Sequence, residues 1–82
     1  MLQKMGVPSK KDVEEALSDW PSCNTFMRDA TEQEAWAVLE AERKGKRRLQ
    51  YLLRAHARMN RMRAIRERDE LAAVADKARG HE

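Results

Sequence analysis

The sequence predicts an all-α fold of three or four helices: an αα-hairpin with a long basic C-terminal helix. Three observations predict it. Only three Gly and two Pro punctuate 82 residues, and β-branched residues are scarce, so strands and their turns have little to build on. Two helix starts are legible as capping sequences. From Lys46 onward nothing breaks a helix until Gly80.

The first start is Ser9. "SKKD" places Asp12 three residues after a Ser, a variant of the capping box. Val13, Ala16, Leu17 and Trp20 follow at helical spacing and Pro21 forbids continuation, so this helix is expected over about residues 10–19. "PSCN" reads as turn chemistry, and a brief helical turn over Thr25–Asp29 points Phe26 and Met27 at the core. The second start is "TEQE" at Thr31, a full capping box with Glu32 and Glu34 at the positive helix end. Ala35, Trp36, Val38 and Leu39 give that helix its apolar face, and "RKGK" closes it. Gly45 is read as the C′ residue of a tight reversal, which makes the hairpin. One continuous helix with Gly45 inside is the alternative, at a cost of about 1 kcal/mol.

A helix over Lys46–Ala78 is about 50 Å long, more than a globule of this size covers. Its distal half must project, fray or pack on another chain. At about 100° per residue, Leu49, Leu52, Leu53, His56, Met59 and Asn60 fall on one side. Arg47, Tyr51, Arg54, Arg58, Arg61, Ile65 and Arg68 fall on the other. The first side is the expected core face, packing on Trp36, Leu39, Trp20 and Phe26. The second is expected to meet solvent or a partner. The domain plan is thus a flexible segment 1–8, one helical domain 9–78 with a projecting end, and a disordered tail 79–82.

Net charge is +3, but it is distributed unevenly. Residues 1–42 hold four basic and nine acidic groups, residues 43–66 hold ten basic and no acidic ones, and residues 67–82 hold three and five. A merely solubilising face interleaves Glu with Lys at i,i+4. Here Arg54 with Arg58, Arg58 with Arg61, and Arg63 with Arg66 are like pairs, repelling by about 0.2–0.5 kcal/mol each. Arg also outnumbers Lys eight to one over residues 45–68, and its planar fork suits phosphate and carboxylate. A solvated face remains the bland alternative. Beyond Arg66, Arg63 with Glu67 and Arg66 with Glu70 return to ordinary opposite-sign pairing.

Catalysis finds no support. There is no glycine-rich phosphate loop, nucleophile elbow or paired-carboxylate motif. One Cys and two His (His56, His81) do not close a zinc site unaided, and no cofactor is expected. His56 and Asn60, one turn apart, form a hydrogen-bonded pair or a polar register device in a helix contact. Cys23 is a small semi-buried thiol or, less simply, an intermolecular disulfide partner. No window reaches a membrane span, and "MLQKMGVPSK" lacks a signal-peptide core, so a cytoplasmic chain without membrane contact is expected.

Two functions compete. The first is polyanion binding, most directly nucleic acid, through Arg47, Tyr51, Arg54, Arg58 and Arg61, with Lys44, Lys46 and Arg48 beside them. The second is protein interaction, the basic helix meeting an acidic surface and Leu71, Val74, Ala75 and Ala78 offered to a groove or a second copy. A homodimer through the long helix is the structural option. The stretch "WPSCNTFMRDATEQEAWAVLEAERKGKRRLQYLLRAHARMNRMR", with its "GK-R" turn and "HARMNRMR" run, resembles small helical proteins carried by bacteriophages and prophages. That resemblance, over about residues 13–70, implies a product acting on DNA or inhibiting a host protein. It assigns no residue a role.

Overall fold

The computed structural model describes residues 8–79. Among them are four helices and no strand: α1 (Lys10–Ala16), α2 (Trp20–Asp29), α3 (Glu32–Lys44) and α4 (Leu49–Arg79). The all-α fold, the hairpin and the long last helix stand as expected. The flexible N-terminus and tail fall almost entirely on residues 1–7 and 80–82, outside the described residues.

Ser9 caps α1, its Oγ accepting the Asp12 N–H at 3.0 Å. The helix ends at Ala16, earlier than expected. The reason is that Asp19 has a second role: its Oδ1 accepts the Ser22 N–H at 2.8 Å and caps α2. Pro21 then sits in the first turn of α2, where its missing N–H has no helical acceptor to lose. Pro21 therefore begins a helix and does not stop one. The expected "PSCN" turn is instead the first half of α2, a correction to the sequence reading, while the helical turn expected over Thr25–Asp29 is its second half, with Met27 buried and Phe26 packed on the core.

α3 carries the full capping box. Thr31 Oγ1 accepts the Glu34 N–H at 3.1 Å, and Glu34 Oε1 accepts the Thr31 N–H at 2.8 Å. At its other end Gly45 is the C-cap, one position short of the C′ role expected. The Glu42 carbonyl accepts both the Gly45 and the Arg47 N–H, at 3.1 and 3.0 Å. The left-handed residue of the reversal is Arg47, with φ 56°. Gly45 has a steric role instead: a Cβ there would stand 3.1 Å from the Ala41 carbonyl oxygen, a tight contact that the backbone would have to relieve by a few tenths of an ångström.

The core consists of Ala16, Cys23, Met27, Ala30, Ala35, Val38, Leu39, Tyr51 and Ala55, with Val13, Leu17, Trp20, Phe26, Leu52 and Met59 packed around it. Small side chains let the helices approach closely. Cys23 is fully buried, which pushes its thiol pKa up and closes off the intermolecular disulfide.

The expected phase of α4 is wrong by about 100°. Tyr51 and Ala55 face the core, whereas Leu49 and Leu53 are 68% and 57% exposed. Trp36, expected as a core anchor, is 47% exposed, and His56 is exposed as well. Leu52 and Met59 alone among the expected core stripe pack on the core cluster. α3 has 13 residues and spans about 20 Å; α4 has 31 and spans about 46 Å. α4 therefore outruns its partner, and every residue from 63 to 79 is exposed.

Candidate functional site

The turned phase of α4 brings Arg54 and Arg58 against the earlier helices, and arginines of the reversal and of α4 reach the negative ends of those helices. Arg48 Nη2 donates to the Leu17 carbonyl, the C-cap of α1, at 3.0 Å. Arg58 Nε donates to the Ala30 carbonyl, the C-cap of α2, at 2.8 Å. Arg47 Nε donates to the Arg43 carbonyl in the last turn of α3 at 3.1 Å. Each of these helix ends carries unpaired carbonyls and the negative pole of a macrodipole, so a guanidinium is the side chain that suits it. Three arginines thus close three helices.

Arg48 does more. It holds Glu42 through Nε to Oε2 at 2.8 Å and Nη2 to Oε1 at 2.9 Å, and its backbone N–H adds a third bond at 2.7 Å. Glu42 is 2% exposed. The Arg48 hydrogen bonds pull its pKa below the usual carboxylate range against the opposing effect of burial. The Arg48 guanidinium carbon also lies 3.6 Å from the Tyr51 ring centroid, and Trp20 meets that ring edge-on at 5.2 Å. Tyr51 is therefore the platform under a buried ion pair that joins α1, α3 and α4. Its expected place on the solvent side is corrected.

The remaining candidates divide. Arg54 Nε donates to Asn24 Oδ1 at 2.9 Å, tying α4 to α2. Arg66 reaches Glu32 at 2.9 Å and Glu70 at 3.2 Å; the Arg66 bond holds the Glu32 pKa low. Asn60 is a half-buried hub, its amide nitrogen 3.2 Å from His56 Nδ1 and its Oδ1 accepting from Arg63 at 2.8 Å. His56 and Asn60 thus meet each other, on an open face and not in the expected core seam. Lys44, Lys46 and Arg61 are exposed and form no ion pair among the described residues.

The face that sequence reasoning assigned to the core is the open one. Leu39, Arg43, Leu49, Leu52, Leu53 and His56 line a groove of about 420 Å³ between α3 and α4. Trp36 lies on the same side of α3 as Leu39 and Arg43 by helical spacing. A second shallow hollow between α1 and α2 is lined by Asp12, Glu15, Ser22, Thr25 and Phe26 among others. Among the described residues no three His, Cys, Asp or Glu side chains come close enough to hold a metal ion, and no helix is long and apolar enough to cross a membrane.

The chain matches no protein-family model, no curated protein and no solved structure.

Proposed function

We propose that the chain is a non-enzymatic protein-docking module whose binding face is the α3–α4 groove. The observation that carries this reading is the open apolar face that Leu49 and Leu53 make in that groove, with exposed Trp36 one turn along α3 from its Leu39, in a domain whose core is complete without these three. Exposed apolar groups scattered singly need no explanation, but a contiguous set rimmed by charge marks an interface. A groove between two helices accepts the apolar face of a third, with anchors at i, i+3, i+4 and i+7. Arg43 at its rim favours an acidic flank on the ligand. The resemblance to small phage helical proteins fits a host protein as one such target.

A second reading keeps a specific observation of its own. Lys44, Lys46 and Arg61 carry unpaired charge, and Arg47 sits exposed at the hairpin turn. Lys44, Lys46 and Arg47 support polyanion contact at the tip of the hairpin, with Arg61 about 18 Å along α4 from the start of that helix. It is a smaller patch than the full column, since Arg48, Arg54 and Arg58 serve the fold.

The test is fluorescence anisotropy with three labelled probes: a helical peptide with leucines at i, i+3 and i+7, duplex DNA and single-stranded RNA. Docking predicts micromolar peptide binding that Leu49→Glu/Leu53→Glu abolishes. Tight, steeply salt-dependent nucleic-acid binding, with the peptide ignored, would replace it by the polyanion reading.

A further inference from the structure

We infer that the natural occupant of the groove is the projecting half of α4 from a second copy of this chain, giving an antiparallel homodimer. The inference rests on the docking reading of that groove and names its partner.

α4 carries one unbroken stripe on its open side: Leu49, Leu53, His56, Asn60, Ala64, Glu67, Leu71 and Val74, all within an arc of about 80°. Leu71 and Val74 are 70% and 65% exposed, as open as the leucines at the other end. The stripe reads almost the same in both directions from Met62. Toward the N-terminus, Asn60, His56, Leu53 and Leu49 lie 2, 6, 9 and 13 residues away; toward the C-terminus, Ala64, Glu67, Leu71 and Val74 lie 2, 5, 9 and 12 away. A two-fold axis beside Met62 therefore sets Leu53 against Leu71, Leu49 against Val74 and His56 against Glu67 of the other copy. An isologous contact demands this kind of self-complementary patch.

Charge and length point the same way. Residues 43–66 hold ten basic and no acidic groups, whereas Glu67, Asp69, Glu70 and Asp76 are all the acids of α4. Residues 67–79 also hold Arg68, Lys77 and Arg79, a net charge of −1, so antiparallel pairing lays a near-neutral segment that bears acids along the basic half of the other copy, whereas parallel pairing lays the basic halves on each other. α4 outruns α3 by about 27 Å. That overhang matches the part of the hairpin where the groove of the other copy lies open. The polar centre, His56 and Asn60 with Glu67, then fixes register, as polar groups do in helix pairs.

The experiment is sedimentation equilibrium of the full chain from about 1 μM to about 1 mM, the span of weak to moderate affinities. The expected mass is twice 9.6 kDa. Leu53→Glu and Leu71→Glu, both at exposed positions and checked for unchanged helicity, each raise the dissociation constant by at least about 100-fold. Leu53→Glu mixed with Leu71→Lys restores a heterodimer, because one contact becomes a charge pair and the other stays apolar. A wild-type monomer throughout overturns the inference and leaves the docking reading to the peptide titration. A dimer lost in Leu53→Glu but kept in Leu71→Glu overturns the inference alone, since the groove is used by another segment. A dimer that survives both variants is held by another face; it overturns the inference and leaves the docking reading to the peptide titration.

Discussion

The two halves of α4 are one helix with opposite habits. Over residues 49–62 the helix has a buried face, and arginines on its flanks reach carbonyls or side chains of earlier helices. Over residues 63–79 every residue is exposed, and the ion pairs are local ones, Arg66 with Glu70 and Arg79 with Asp76, apart from Arg66 with Glu32. The basic half has no acids beside it because its positive charge is answered across the fold by helix ends. The distal half has none of those partners, so it carries its own. A run of like charge along a sequence thus identifies where tertiary partners are needed, before it identifies a ligand.

The sharpest way to break this comparison is at the buried pair. Glu42→Ala leaves Arg48 without its carboxylate and strips the anchor from α1, α3 and α4. Removing one partner of a buried pair costs roughly 3–5 kcal/mol, and about 4–8 °C of melting temperature accompany each kcal/mol at this size. Thermal unfolding by circular dichroism at fixed protein concentration checks it. A loss below about 1 kcal/mol would mean that the pair is solvent-screened. The pH dependence follows with a definite sign. Glu42 and Glu32 have folded pKa values below their unfolded ones. Their contribution is present above the unfolded value of about 4.3 and is lost as pH falls through the folded values. Glu42→Gln therefore shows a shallower loss of stability on acidification than the wild type.

Next in size is a paired substitution within α4. Tyr51→Ala removes a ring 5% exposed that supports Trp20 and Arg48, at roughly 3 kcal/mol by analogy with other buried aromatics. Leu53→Ala, in the monomer, stays within about 0.5 kcal/mol. Urea midpoints measured below the dimer dissociation constant compare them. The sequence alone ranks the two the other way round, and this is where its legibility ended. The capping box at Thr31, the reversal at Gly45 and the length of α4 are all local signals and were readable. The phase of α4 was not. Leucines outweigh the small Ala55 in any periodicity count, yet Ala55 is the residue that lets α4 approach the core. Nor does sequence show that Arg48 and Arg58 end on carbonyls 31 and 28 residues away. Asp19 was readable in principle: a carboxylate two residues before a Pro is a helix start.

A smaller contrast separates arginines that serve the fold from those that face water. Arg58→Ala uncaps α2 and is expected to cost about 1 kcal/mol, the usual worth of such a bond. Arg61→Ala, three residues on and exposed, is expected to change stability by less than about 0.5 kcal/mol. Equal effects in chemical denaturation would remove the distinction between the two sides of the basic column.

The smallest effect concerns the reversal that joins the two arms. Arg47 holds φ 56°, a conformation costing an L-residue roughly 1–2 kcal/mol. Arg47→Gly removes that cost, loses roughly 0.5–1 kcal/mol to the greater freedom of the unfolded chain, and gives up the exposed bond to the Arg43 carbonyl. The net gain is at most about 0.5 kcal/mol. Gly45→Ala should go the other way, since its Cβ stands 3.1 Å from a backbone oxygen that cannot rotate aside. Denaturant midpoints with unchanged slope would read both. The two signs together test the turn: if Gly45 were the left-handed residue, Arg47→Gly would be destabilising and Gly45→Ala would carry the larger cost of a positive φ. In this geometry the glycine is kept for space, and the strain sits on an arginine whose guanidinium closes α3.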